Sequence, residues 1–308
     1  MSELGVLFLP SGPGLSSGPA QVFLTRVFAA TGKTIFWNEP SVARGDQLPV
    51  GNVEIWRNLI RSLVKAARSF TTPFVIVTES YGSLLAERLY EELSAVGEAH
   101  RVAGILHTPP TLDLLRVFRT VMEMGIYDFQ ATGDHVRESQ MAEFKREVDL
   151  DPRIDSPALL AGIDLAFQSS QIMMRYFRNL ESLGRWAGGF AAPGFAPDSE
   201  MRDRILKGIG AVGASVQTTF APDVPTMVCV GGFDPYEKLS SFEDAIAKAM
   251  VRPGRKNQIA WAPLPERGHY PYSDELERWV AEAWEPFLHL VHARPRVRPE
   301  MDREIDPR

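Results

Sequence analysis

The sequence predicts an α/β fold, a mostly parallel sheet with helices on both faces and a helical block inserted in it. Three observations predict this. Short, wholly apolar runs recur along the chain and suit strands buried on both faces. Segments with helical spacing of apolar residues alternate with those runs. Between residues 109 and 220 the runs stop, and only helix-like patterning remains.

The elements follow in chain order. Residues 4–9 form an apolar run ended by Pro10-Ser11-Gly12-Pro13-Gly14, which reads as a strand and a sharp loop. Ile35-Phe36-Trp37 is a second short run. From Val53 to Arg68, Ile55, Trp56, Leu59, Ile60, Leu63 and Val64 recur at helical spacing. Phe74 to Thr78 is β-branched and apolar, and a helix pattern with Leu84, Leu85, Leu89 and Leu93 begins at once after it. Val102 to Leu106 is the next strand. Late in the chain, Met227–Val230 and Gln258–Trp261 read as strands, and 241–250 and Leu276–Leu290 as helices. The block at 109–220 is rich in aromatic and Met residues, and Gly188 to Gly194 reads as a loop or hinge. The tail from 293 to 308 is rich in Pro, Arg and acid and reads as flexible.

With 308 residues and 44% hydrophobic content, the chain can bury a large core. A formal net charge of -6 with scattered basic residues gives no footprint for nucleic acid. The single cysteine, Cys229, permits no intrachain disulfide and reads as a small buried hydrophobe. The six histidines show no H-x-x-x-H or H-x-H spacing, so neither a metal nor another cofactor is expected. The first residues lack a basic region and a long apolar stretch, which makes the cytoplasm the default compartment and a membrane partner unexpected. The expected partner is a small-molecule substrate, and a homo-oligomer is left open.

Four motifs carry chemistry. Thr78-Glu79-Ser80-Tyr81-Gly82 lies between a strand and a helix, where a tight turn would lift a nucleophilic Ser80 above the sheet. An ordinary helix N-cap serine would look similar. Gly231-Gly232-Phe233-Asp234-Pro235 follows a strand, and Asp234 could orient an imidazole there, or simply make a turn. Arg267-Gly268-His269-Tyr270-Pro271 follows the last strand, and His269 could serve as general base. Each motif is weak alone. Their order is not: Ser80, Asp234, His269, each after a strand, is the order that a strand-elbow nucleophile, acid and base take. An oxyanion hole needs two backbone amides. Tyr81 supplies one and Gly12 the other, because Pro13 has no N–H.

With these residues in place, the chain resembles the α/β-hydrolase superfamily, and most closely the prolyl iminopeptidase-like branch. That branch carries H-G-G-P-G where this chain reads Pro10-Ser11-Gly12-Pro13-Gly14. The elbow, the Gly231-to-Asp234 motif and Gly268-His269 also match. The resemblance implies a core at 1–108 and 221–292, a helical cap at 109–220, and a sheet of about six strands, because the branch's first two strands are absent. The acidic motif by which such peptidases hold a free amine is not found. Asp128, Asp134, Asp164 and Glu181 read as solvated helix charges.

The expected function is therefore a serine hydrolase acting on a small, mainly apolar ester, lactone or amide through an acyl-enzyme on Ser80. Phe167, Met173, Met174 and Phe177 of the inserted block are the expected substrate-binding residues. The alternatives are a prolyl iminopeptidase-like aminopeptidase, a lyase, acyl-transfer or cyclising enzyme on the same triad, and a non-catalytic binding protein.

Overall fold

Each apolar run becomes one parallel strand, because a segment buried on both faces has no polar side to turn to water. The computed structural model describes residues 3–41, 46–169, 171–192, 194–252 and 258–293. The expected hinge residue Pro193 and the tail beyond residue 293 lie outside these described residues. The strands are β1 (Gly5–Leu9), β2 (Thr34–Phe36), β3 (Phe74–Ser80), β4 (Val102–Pro110), β5 (Thr226–Gly231) and β6 (Ile259–Leu264). They form one six-stranded sheet in the order β2-β1-β3-β4-β5-β6, and every neighbouring pair is parallel. All carboxyl ends therefore lie on one edge, where ligands of such sheets bind.

Helices cover both faces of the sheet. They include α1 (Gly18–Ala29), α2 (Asn52–Arg68) and α3 (Gly82–Ala95). Helix α1 is not among the elements that the sequence predicts. It opens on Gly18-Pro19 and buries Ala20, Phe23, Leu24 and Phe28. The leucines expected on α3 are all buried. Cys229, in the middle of β5, is fully buried, and that burial pushes its thiol pKa up to about 12.

Several expected boundaries move. The last strand is not 258–261 but Ile259–Leu264, since pairing with β5 carries it on to Gly231↔Leu264. The helix expected over 276–290 is present without a break and runs on to Ala293. After a short turn at Pro271–Asp274, helix restarts at Leu276, passes through a π-helical segment at Val280–Trp284, and continues over Glu285–Ala293. The wider turn brings residues five apart onto one side. Trp279 and Trp284 are both buried there, with rings stacked at 6.3 Å and 10°.

The inserted block is helical, as expected. It contains α4 (Leu114–Thr132), α5 (His135–Leu150), α6 (Pro157–Ala166), α7 (Leu180–Gly188) and α8 (Ser199–Val212), with a 3₁₀ turn at Met173–Tyr176. Each of these five helices has a side-chain cap: Asp113, Asp134, Ser156, Asn179 and Asp198 each accept a hydrogen bond from the amide three residues on. Such caps contribute about 1 kcal/mol each and let the block hold its shape locally. Asp134, expected as a solvated charge, is one of these caps. Helix α3 differs: its N-cap is Tyr81, with no side-chain cap, so its first amides remain available to a ligand.

Candidate active site

The site begins at the end of β3. Ser80 has φ 45, a left-handed conformation that strains a residue with a Cβ. The chain must turn here from the strand directly into α3. Gly82 makes the turn fit, since a Cβ at that position would lie 2.6 Å from the carbonyl oxygen of Leu9. Thr78, larger than the glycine usual at its place, is accommodated because it faces β4 and its Oγ1 hydrogen-bonds His107 Nδ1 at 3.0 Å.

Asp234 and His269 sit past β5 and β6. His269 Nδ1 is 2.7 Å from Asp234 Oδ2, and both side chains are buried. The other oxygen of Asp234 accepts the amides of Tyr236 and Glu237, which locks the carboxylate in place. Three tyrosine rings meet the imidazole edge-on: Tyr176 at 5.5 Å, Tyr236 at 4.9 Å and Tyr270 at 4.9 Å. Burial, reinforced by Asp234, holds the Tyr176 phenol above its ordinary pKa, so it stays neutral beside the pair. The His269 amide donates to the Tyr176 carbonyl at 2.8 Å, and Asp274 accepts both the Gly268 and the Arg178 amides. The loop carrying His269 is thereby fastened to the inserted block.

The Nε2 of His269 has no hydrogen-bond partner among the described residues. His269 lines a cavity of about 450 Å³ that Ser80 and Gly12 also line. Ser80 Oγ does not bond to His269 in this structure. It bonds instead to Thr111 Oγ1 at 3.0 Å, just past the end of β4. The extension of β4 to Pro110, where it pairs with Ser80, brings Thr111 there, and no pattern in the sequence marks it. If that bond only parks the resting hydroxyl, Thr111→Val should react with a fluorophosphonate at least as fast as wild type. A labelling rate lower by about tenfold or more would mean that Thr111 helps to aim Ser80.

The loop from Pro10 to Gly14 lies across the same cavity. Its Ser11 amide donates to Glu79 and its Gly14 amide to Glu39, so Gly12 carries the one uncommitted N–H between them. Tyr81 is fully buried and sits directly behind Ser80.

The expected substrate-binding residues separate. Phe167 and Met173 line the cavity with Val117, Phe118 and Trp186. Met174 does not line it. Phe177 faces a neighbouring cleft, stacks on Tyr270 and meets Trp186 at a tilt, as a packing residue between the cavity wall and the His269 loop. Helical spacing places residues on a face, but Met173–Tyr176 is a tight 3₁₀ turn, which points neighbours in different directions. The carboxylates also separate. Asp128 is buried rather than solvated, paired with Arg175 and hydrogen-bonded by Ser169. Asp164 reaches the cavity wall, where Arg202 pairs with it at 2.8 Å. Glu181 stays in the exposed first turn of α7. Tyr176 and Trp186 belong to the aromatic residues of the inserted block expected near a substrate, and both line the cavity; Tyr236, which also lines it, has no signal in the sequence, because its place depends on contacts across the fold.

No family model and no curated protein matches the sequence. Solved structures do. A proline iminopeptidase-related protein from Thermus thermophilus superposes with a TM-score of 0.61 at 14% identity, covering 94% of this chain and 90% of that one. A proline iminopeptidase from Mycobacterium smegmatis gives 0.58 at 13% identity, covering 94% and 91%. A thermophilic esterase from Thermogutta terrifontis gives 0.56 at 17% identity, covering 94% and 90%. In its sheet, its strand-to-helix elbow at Ser80 and its likeness to these structures, the chain has the α/β-hydrolase fold.

Proposed function

We propose that the protein is a serine hydrolase of small, mainly apolar esters or lactones. The observation that carries this reading is the buried 2.7 Å Asp234–His269 bond, in a histidine whose Nε2 has no partner among the described residues and which lines the same cavity as the strained Ser80. Ser80 Oγ swings from Thr111 to His269 and attacks the carbonyl carbon. Its proton passes to Nε2, and the imidazolium is stabilised by Asp234. The Gly12 and Tyr81 amides hold the oxyanion. Collapse expels the leaving group, which takes the proton from His269, and water then releases the acid by the reverse sequence.

Two features favour an ester or lactone over an N-terminal peptide. The cavity wall is mostly apolar. Its two carboxylates, Asp164 and Asp198, already have partners in Arg202 and the start of α8, which weakens the hold of either on a substrate amine. A panel of p-nitrophenyl esters, lactones and aminoacyl amides tests the reading. Turnover of esters or lactones with water in the product is expected. Turnover of aminoacyl amides alone, or of no substrate with water incorporated, would replace it.

The inserted helices act in this reading as a lid that measures the acyl or leaving group. Phe167→Ala should change the ratio of kcat/KM between short and long esters by about 10-fold or more, or 1–3 kcal/mol. Phe177→Ala should instead lower thermal stability, by about 3–5 kcal/mol for a buried aromatic, with the ratio unchanged. If both variants act on stability alone, the block is scaffolding and not a lid.

A further inference from the structure

Glu79, the residue before Ser80, is a buried acid that the reaction above does not use. It is 3% exposed. Its Oε2 accepts both the Ser11 amide at 3.3 Å and the Ser11 hydroxyl at 3.2 Å. Ser11 belongs to the loop after β1, and Glu79 to β3, so this contact joins two different strand ends. At the far end of the loop, Glu39 accepts the Gly14 amide at 2.7 Å. The short loop is thus anchored on both sides of Gly12 by buried carboxyl groups. Burial pushes the Glu79 pKa up to about 8, even against the lowering effect of Ser11, so near neutral pH it is mainly the uncharged acid.

We propose that Glu79 is a positioning residue for the oxyanion hole, holding Ser11 so that the Gly12 amide stays aimed above Ser80. The inference rests on the acyl-enzyme reading above. Glu79 itself touches no substrate, since it lies behind the cavity wall rather than on it. Its effect should appear where charge develops on the substrate oxygen and not where the acyl chain binds. Displacement of a preorganised donor by a fraction of an ångström is sufficient to slow such a step.

The test uses a pair of near-isosteric variants of the full chain. Glu79→Gln keeps an acceptor for Ser11 and mimics the neutral acid. Glu79→Met keeps the volume and removes the acceptor. Each is assayed for kcat and KM on p-nitrophenyl butyrate, and for inhibition by a trifluoromethyl ketone, which forms a tetrahedral oxyanion. Glu79→Met is expected to lose about 10- to 100-fold in kcat and in ketone affinity alike, with KM changed by less than about 3-fold. Glu79→Gln should keep both within about 3-fold of wild type. If Glu79→Met does not fold, Ser11→Ala takes its place, with the same split between kcat and KM expected. Equal losses in Gln and Met variants, or a loss in KM alone, would overturn the positioning role. Fluorophosphonate labelling of wild-type Ser80 separates the two readings. A labelled, active wild type with an unaffected Met variant defeats only this inference, whereas an unlabelled wild type defeats both.

Discussion

Ser80→Ala should lower kcat by about 10⁶-fold and abolish labelling by a fluorophosphonate, the scale seen when a triad nucleophile is removed. The expectation rests on backbone geometry as much as on residue type. A serine held at φ 45 between strand and helix is under strain that an ordinary helix cap would not carry. Intact-protein mass spectrometry should find one adduct on the wild type, located at Ser80, and none on the variant. The fold should survive, because the Ser80 hydroxyl makes a single hydrogen bond, to Thr111. A folded wild type that takes no adduct, or an Ala variant that keeps turning over, would remove Ser80 from the chemistry and favour a binding protein on this fold.

Asp234→Asn should lower kcat by about 10⁴-fold while leaving the structure intact. Asparagine is the informative substitution. Its oxygen can still accept the Tyr236 and Glu237 amides that Asp234 Oδ1 accepts now, so the loop keeps its shape. Its NH₂ must then face His269 Nδ1, which forces that nitrogen to accept and moves the proton to Nε2. In the proposed reaction Nε2 is then unable to take the proton of Ser80. Alanine would confound this with loss of the loop. Asp223 and Asp244 serve as comparisons, the first preceding β5 at the far end of the sheet and the second lying within α9 (Leu239–Met250). A mild effect at Asp234 with a severe one at Asp244 would reassign the acid.

Much of this arrangement was legible in the chain. Strands buried on both faces announce themselves as apolar runs, and parallel pairing follows from the helices between them. That logic located all six strands, and the ends that moved most are the carboxyl ends of β4, which reaches Pro110, and β6, which reaches Leu264. The elbow, the Asp234 turn and the Gly268-His269 loop were legible because each is a local feature: a strand end followed by residues that a sharp turn demands. The order of the three along the chain then turned three weak signals into one constellation.

The tertiary structure alone decided which side chains meet. Nothing in the spacing says that Thr111 holds Ser80, that Tyr176 and Tyr236 flank His269, or that Met174 and Phe177 turn away from the cavity while Met173 and Phe167 face it. Charge was misread for the same reason. Asp128 reads as a solvated helix residue because its partner, Arg175, is 47 positions away. Glu79 sits inside the most legible motif of the chain, yet its burial and its hold on Ser11, 68 positions earlier, depend on β1 and β3 lying side by side. Periodicity records the environment that a residue requires, buried or exposed, strand or helix. It does not record the partner, which is fixed only when the sheet closes and brings distant strand ends to one edge.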